Sequence, residues 1–426
     1  MELQKLVSMV LPFLMIMYIP KANAQTSDDA KNLLHQIFNA SAYNKAVRPI
    51  YEQTMTTNVS IEFYLTSILD FDSQKEKLTT SGFLIISWND YYLQWTPATY
   101  GNLTSVFIPQ DNVWKPDISL QNGVSELKGL GSSSLFVYVL SDGALTWYPV
   151  GIFESTCGID ITYFPFDIQT CTLTFTAWSY TKTEVRVMVG KKGIILDEYE
   201  ENSEWSIVDT SVDTLEQYTD AAVVFSIKLK RKPLFVLLNV ILPVIMLSLL
   251  NVCIFVLPAE SGEKASFSVT VFLALAVFLT MVTATLPQNS EKISLLGIYL
   301  VIIAGFSTVI VILTLFILRL NFRNVDEDPI PPCLIQLQVI VEKVRCRKCN
   351  KLRPAIMSET EVHNFDPGYT VYTQDATSAV SQSNPTTPHK SKITWNHICN
   401  ALDFIFFWIF LIATFITTVA IFSICS

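Results

Sequence analysis

Two kinds of hydrophobic pattern share the chain, long unbroken runs and short alternating ones. Four runs, Leu234–Leu257, Ala265–Leu286, Ile293–Leu318 and Ala401–Ile424, are each near or above the roughly 20 residues a helix needs to cross hydrocarbon. An earlier run, Leu6–Ile19, follows Lys5 and precedes Ala22-Asn23-Ala24. That order of charged, apolar and small-x-small residues predicts a cleaved signal peptide over residues 1–24, because the run is short for a span. Gln25 to Asn44 mixes polar residues with Leu33, Leu34, Ile37 and Phe38, as one amphipathic helix would. After it come short β-rich runs at Ser60–Leu69, Gly82–Trp88, Ser134–Leu140, Leu145–Phe153, Thr172–Ala177, Glu184–Val189 and Ala222–Leu229. Turn residues such as Ser141-Asp142-Gly143 punctuate them, which predicts an all-β sandwich or barrel.

Four spans place both ends of the mature chain on one side. The roughly 80 residues between the third and fourth spans are then cytoplasmic, and they carry Lys343, Arg345, Arg347, Lys348, Lys351 and Arg353. Met357 to Thr394 is rich in Ser, Thr, Asn and Pro and reads as disordered. Cys346 and Cys349 have no evident second pair of ligands, so no metal site is expected. Asn39, Asn58 and Asn102 each head an Asn-x-Ser/Thr triplet, the acceptor pattern for glycosylation of an extracellular domain.

Composition narrows the class. The 426 residues are 50% hydrophobic and only 16% charged, against about 25% charged in soluble domains. A soluble enzyme does not fit, and no glycine-rich phosphate loop or histidine metal motif interrupts the front domain, so neither enzyme chemistry nor a cofactor is expected. From Gln25 to Arg231 there are 14 Lys and Arg against 25 Asp and Glu, a net of −11. Such a surface repels nucleic acid and suits small cations or cationic ligands, although solubility accounts for it equally well. Of eight cysteines only Cys157 and Cys171 fall in this domain, where oxidising conditions let them pair. Closing that 15-residue loop stabilises the fold by roughly 3 kcal/mol in the chain-entropy picture. The apolar centre of the loop, Phe164-Pro165-Phe166, is expected to seek a partner surface.

Thirteen residues between paired cysteines, with an internal Phe164-Pro165-Phe166-Asp167, resemble the signature of the Cys-loop receptors, the pentameric ligand-gated ion channels. Further landmarks fall in the same order: Trp88-x-Asp90-x-x-Leu93-x-Trp95, Trp114-x-Pro116-Asp117, Trp147-x-Pro149, Arg231-x-Pro233 and Ser261-Gly262-Glu263-Lys264. The likeness covers nearly all the mature chain outside the cytoplasmic loop and is closest to the cation-selective, nicotinic-like branch. It implies an extracellular sandwich with a short N-terminal helix over residues 25–232 and a four-helix transmembrane bundle. Helices M1–M3 fall within 233–320, with pore-lining M2 at about 264–286. A cytoplasmic loop spans 321–398, and M4 with a short extracellular tail spans 399–426. The implied setting is a homo- or hetero-pentamer in the plasma membrane, with a lipid bilayer, permeating cations and a small-molecule agonist as partners.

The resemblance also implies a box of aromatic rings between subunits, whose faces attract an ammonium by cation–π interaction. Trp178 matches the central ring, with Tyr180 beside it; Phe83 matches the facing subunit's ring. Tyr138 and Tyr148 fit either that face or the core, and Tyr218 is the aromatic of the capping loop, Asp209–Asp220. Gln121 stands where nicotinic receptors carry a tyrosine, and the capping loop lacks their adjacent cysteines. The agonist expected is therefore a cationic amine, not specifically acetylcholine.

In the second span, steps of three and four place Glu263, Ser266, Thr270, Leu273, Val277, Met281 and Ala284 on one stripe. Five copies stack an acidic ring, hydroxyls and apolar rings able to gate by dewetting. Glu263 is expected to select cations, with Glu260 a second ring and Lys264 turned away. Gating by resemblance involves Phe164, Pro165, Phe166 and Asp167, the turn bearing Asp72 and Glu76, and Arg231, whose partner is Asp72, Glu76 or Asp167. The alternative function is a non-conducting receptor or assembly subunit that does not gate alone.

Overall fold

The computed structural model describes residues 25–127, 129–216, 219–285, 292–323, 329–350 and 394–425. The signal-peptide segment, Tyr218, the linker after Leu286 and most of the stretch read as disordered lie outside them. The chain divides into two units, one of residues 1–233 with 286–292, the other of 234–285 with 293–426.

In the first unit, helix α1 (Ser27–His35) opens with a capping box: Asp29 N–H donates to Thr26 Oγ1, and Thr26 N–H donates back to the Asp29 carboxylate. Eleven strands follow: β1 (Thr57–Asp72), β2 (Lys77–Asn89), β3 (Ser105–Pro109), β4 (Ile118–Leu120), β5 (Phe136–Leu140), β6 (Ala144–Trp147), β7 (Val150–Thr156), β8 (Ile168–Ala177), β9 (Val185–Ile195), β10 (Trp205–Glu216) and β11 (Ala221–Arg231). They make two sheets. One runs β3-β5-β6-β2-β1-β9 with β7 also on β2; the other runs β10-β11-β8-β4. Alternation buries Val59, Ile61, Phe63 and Leu65 of β1, then register shifts at Leu65/Ser67 and Ile68/Asp70 move the inward phase to Ile68 and Phe71. Phe63, Phe153, Phe175 and Phe225, from both sheets, meet at ring separations of 5.4–6.4 Å and form the centre of the core.

Two sequence expectations change. The run Leu145–Phe153 is two strands, because Pro149 between them has no N–H for the ladder. Most of Asp209–Asp220 is not loop: the chain stays extended to Glu216 as an edge strand paired with β11 from Trp205 to Glu216, with one register shift at Ile207/Asp209. The motif residues Trp88, Asp90, Leu93 and Trp114 are buried scaffold. Asp90 accepts from the Tyr43 hydroxyl at 2.7 Å and from Tyr92 N–H at 2.9 Å, while burial pushes its carboxyl pKa up.

The second unit holds helices α2 (Leu234–Val256), α3 (Lys264–Thr285), α4 (Leu295–Asn321), α5 (Pro332–Asn350) and α6 (Trp395–Cys425). All but α5 are long and apolar enough to cross a membrane. Val252, Ile254 and Phe255 of α2 pack with Ile310 and Ile317 of α4 and Phe410 of α6. Between α2 and α3 the chain turns at Gly262, whose φ of 69° is a left-handed conformation that side chains resist.

Candidate ligand site and pore

Trp178 follows β8 directly, and its ring is 58% exposed, so it is no part of the sandwich core. Asp117 fixes the backbone beneath it: Trp178 N–H donates to the Asp117 carbonyl at 3.2 Å and Ser179 N–H to the Asp117 carboxylate at 2.6 Å. The Pro116-Asp117 motif thus positions the tryptophan. Tyr180 is half-buried, its ring 6.3 Å from Trp114. Gln121, exposed and tied through its N–H to the Thr174 carbonyl at 2.7 Å, shares with Trp178 a cavity of about 570 Å³ walled by Ile152 and Glu154.

A second aromatic group lies on the seven-stranded sheet. Phe83 stacks on Tyr64 with ring centroids 4.5 Å apart and an 11° interplanar angle, and meets exposed Tyr148 edge-on at 6.3 Å. Tyr138 packs instead on Phe107 at 5.1 Å. Among the described residues no ring contact joins Trp178 to Phe83, Tyr138 or Tyr148, so one copy of the chain holds two partial aromatic surfaces. Tyr64 carries no sequence signal of its own; its register opposite Phe83 on β1 reveals it. The triplet asparagines Asn39, Asn58 and Asn102 are all exposed.

The disulfide Cys157–Cys171 is formed, with Cα atoms 5.0 Å apart. Inside its loop, Pro165 is buried, and Phe164 lies under the Arg231 guanidinium at 4.9 Å; Tyr163 is the ring left half exposed. The partner surface expected for Phe164-Pro165-Phe166 is met for the first ring within its own unit, by the Arg231 guanidinium. Arg231 pairs with Asp167, also donates to Ser73 Oγ at 3.4 Å, and stacks on Trp205 at 4.2 Å. Asp72 instead accepts from the Gln74 and Lys75 N–H groups and pairs with Lys75 at 3.0 Å, contacts that lower its pKa. Exposed Glu76 adopts φ 51°, and its carbonyl accepts from Cys157 N–H at 2.7 Å. Lys292 forms an ion pair with Asp160 of the same loop; with Thr162 it holds the Asp160 carboxyl down at about 2.

On α3 the predicted stripe faces out of the helix bundle. Glu263, Ser266, Thr270, Leu273, Val277, Met281 and Ala284 are all exposed, Leu273 at 60%, whereas Leu275 and Val282 are buried at 2% and 3%. Glu263, Ser266 and Thr270 share with Cys253, Val256 and Phe267 a cavity of about 490 Å³. The Thr270 hydroxyl donates back to the Phe267 carbonyl at 2.9 Å, which leaves its oxygen lone pairs turned outward, an arrangement suited to cations. Lys264 is buried, as its position one residue round the helix from Glu263 requires, and it pairs with Asp403 of α6.

Against known proteins, the family model for the neurotransmitter-gated ion-channel ligand binding domain matches residues 30–233, and that for the neurotransmitter-gated ion-channel transmembrane region matches 240–364. The chain is 34% identical over 313 residues to the neuronal acetylcholine receptor subunit alpha-6 of Mus musculus, covering 71% of this chain and 62% of that protein. It is 33% identical over 332 residues to subunit alpha-3 of Homo sapiens, covering 76% and 64%. With subunit alpha-4 of Homo sapiens the identity is 34% over 342 residues, covering 75% and 53%. The matched stretches thus span less than two thirds of these relatives' length.

Proposed function

The chain belongs to the neurotransmitter-gated ion-channel family, and we propose that it is a subunit of a pentameric, cation-selective ligand-gated channel of the plasma membrane. The sandwich is its extracellular ligand-binding domain and α3 its pore lining. The observation that carries this reading is the stripe on α3, which runs from a carboxylate through hydroxyls to apolar side chains and points away from its own bundle. A helix buried in lipid gains nothing from Glu263, Ser266 and Thr270 aligned at one end.

In this reading the Trp178 edge of one subunit meets the Phe83–Tyr148 face of the next, and an ammonium held between their rings is the agonist. The relatives are named acetylcholine receptor subunits. This chain has no cysteine between Cys171 and Cys253 and carries Gln121 beside Trp178, so we assign it a cationic amine without fixing acetylcholine. Transmission towards the pore falls to Phe164–Asp167 and Arg231, and the reading assigns the chain no enzymatic step.

The test is expression in oocytes, alone and with other subunits of the family, under voltage clamp with a panel of amines including acetylcholine and choline. An inward sodium current on application of an amine is the expected result. Silence to the whole panel at normal surface level, in every combination, favours the non-conducting assembly subunit instead.

A further inference from the structure

Two contacts bind the base of α6 to the segment that leads into α3. Asn396 Nδ2 donates to Glu260 Oε1, and Asp403 pairs with Lys264. Asn396 and Asp403 are seven residues apart, two helical turns, and so share one face of α6. Between their partners lies Gly262 in its left-handed conformation, which reverses the chain so that Glu260 and Lys264 both reach α6 while Glu263 stays exposed. The side chains of Lys264 and Asp403 are 0% and 6% exposed, and the Lys264 ammonium also lies 5.9 Å from the Phe255 ring. A buried pair of opposite charges inside spanning helices is costly to desolvate, which points to a role beyond packing.

We infer that Asp403 is a selectivity-positioning residue: it neutralises the ammonium of Lys264 and holds it buried, so that no positive charge offsets the acids at the base of α3. Asn396 fixes the Glu260 carboxylate by a hydrogen bond without neutralising it, whereas the Glu263 carboxylate has no side-chain partner among the described residues. Without Asp403, an unpaired ammonium one residue from Glu263 offsets that carboxylate in every copy of the chain in the ring. The inference rests on the pore reading above.

The experiment measures unitary sodium conductance in membrane patches carrying the full chain with Leu273→Ser, a background chosen to open without agonist. Asp403→Asn should lower that conductance at least twofold, Asp403→Glu should retain it, and Lys264→Met with Asp403→Leu should bring it back to within about 1.5-fold of the background. Unitary conductance counts ions per open channel, so a purely structural role, which changes the number of channels, does not move it. Unchanged conductance in Asp403→Asn overturns the inference, and so does a paired variant that conducts as poorly as Asp403→Asn. Should Asp403→Asn fail to reach the surface, the paired variant decides alone: recovery of conductance supports the inference, and reduced conductance or absence from the surface overturns it. Absence of sodium current in the Leu273→Ser background itself, at normal surface level and with the amine panel applied, sinks the channel reading and this inference with it.

Discussion

Arg231 grips Asp167 with two parallel hydrogen bonds, Nε to Oδ1 at 2.7 Å and Nη2 to Oδ2 at 3.1 Å, while its guanidinium lies against Phe164 and Trp205. The last residue of β11 is thereby locked to the disulfide-closed loop. The Asp167 side chain is 1% exposed and that of Arg231 11%, so neither charge has water to fall back on. Asp167→Asn leaves the guanidinium buried without its counter-charge, a loss of about 3–5 kcal/mol. Surface expression should fall sharply, read by biotinylation beside total protein. Arg231→Lys should recover little, because an ammonium cannot make the paired bonds or the same stacking. Normal surface levels for both variants would show the lock to be dispensable.

Trp178 should carry the largest single share of amine binding. Its exposed ring contributes little to the core, so Trp178→Ala is expected to fold and reach the surface. Removal of one cation–π face should weaken binding by about 1 kcal/mol, roughly fivefold in affinity. Competition binding at matched surface expression is the measurement, and unchanged affinity removes Trp178 from the site.

Leu273 stands midway along the outward stripe, between hydroxyls on one side and Val277 and Met281 on the other. Leu273→Ser should wet that ring and produce a standing leak or activation at lower agonist concentration. Whole-cell current before and after a pore blocker checks it. A variant with no leak and an unshifted concentration response moves the constriction to Val277.

Glu263→Ala should shift the reversal potential under a sodium chloride gradient towards chloride, or reduce conductance severalfold, without loss of folding, since the lost carboxylate at the helix start is worth only about 0.3–1 kcal/mol at an exposed position. Glu260→Ala, whose carboxylate is already held by Asn396, should change both quantities less. The reverse ranking of the two variants assigns selectivity to Glu260.

Much of this architecture is legible in the residue pattern because its signals are local. The four spans announce themselves by length and hydropathy, and the strands with one buried face by alternation. Strand β10 escapes for the opposite reason: it is an edge strand with Asp209, Asp213, Thr214 and Glu216 facing water, so nothing in Asp209–Asp220 separates strand from loop. At the site, motif spacing locates Trp178, Gln121 and the α3 stripe. Pairing is a different matter. Asp72, Glu76 and Asp167 are equally plausible partners for Arg231 in the sequence, and only folding brings Asp167 onto it. Lys264 and Asp403 sit 139 residues apart in two apolar runs, where no periodicity links them.

The disulfide-closed loop carries two acids, and each is claimed by a cation from elsewhere in the unit: Asp167 by Arg231 and Asp160 by Lys292. The two pairs answer differently to dissolved salt. Lys292 and Asp160 are about half exposed, and mobile ions with a screening length near 8 Å at physiological strength reach between them. Arg231 and Asp167 are sheltered from those ions. A rise in ionic strength therefore slackens the loop's hold on Lys292 while its hold on Arg231 persists, which gives one short covalent ring a salt-responsive end and a salt-indifferent one.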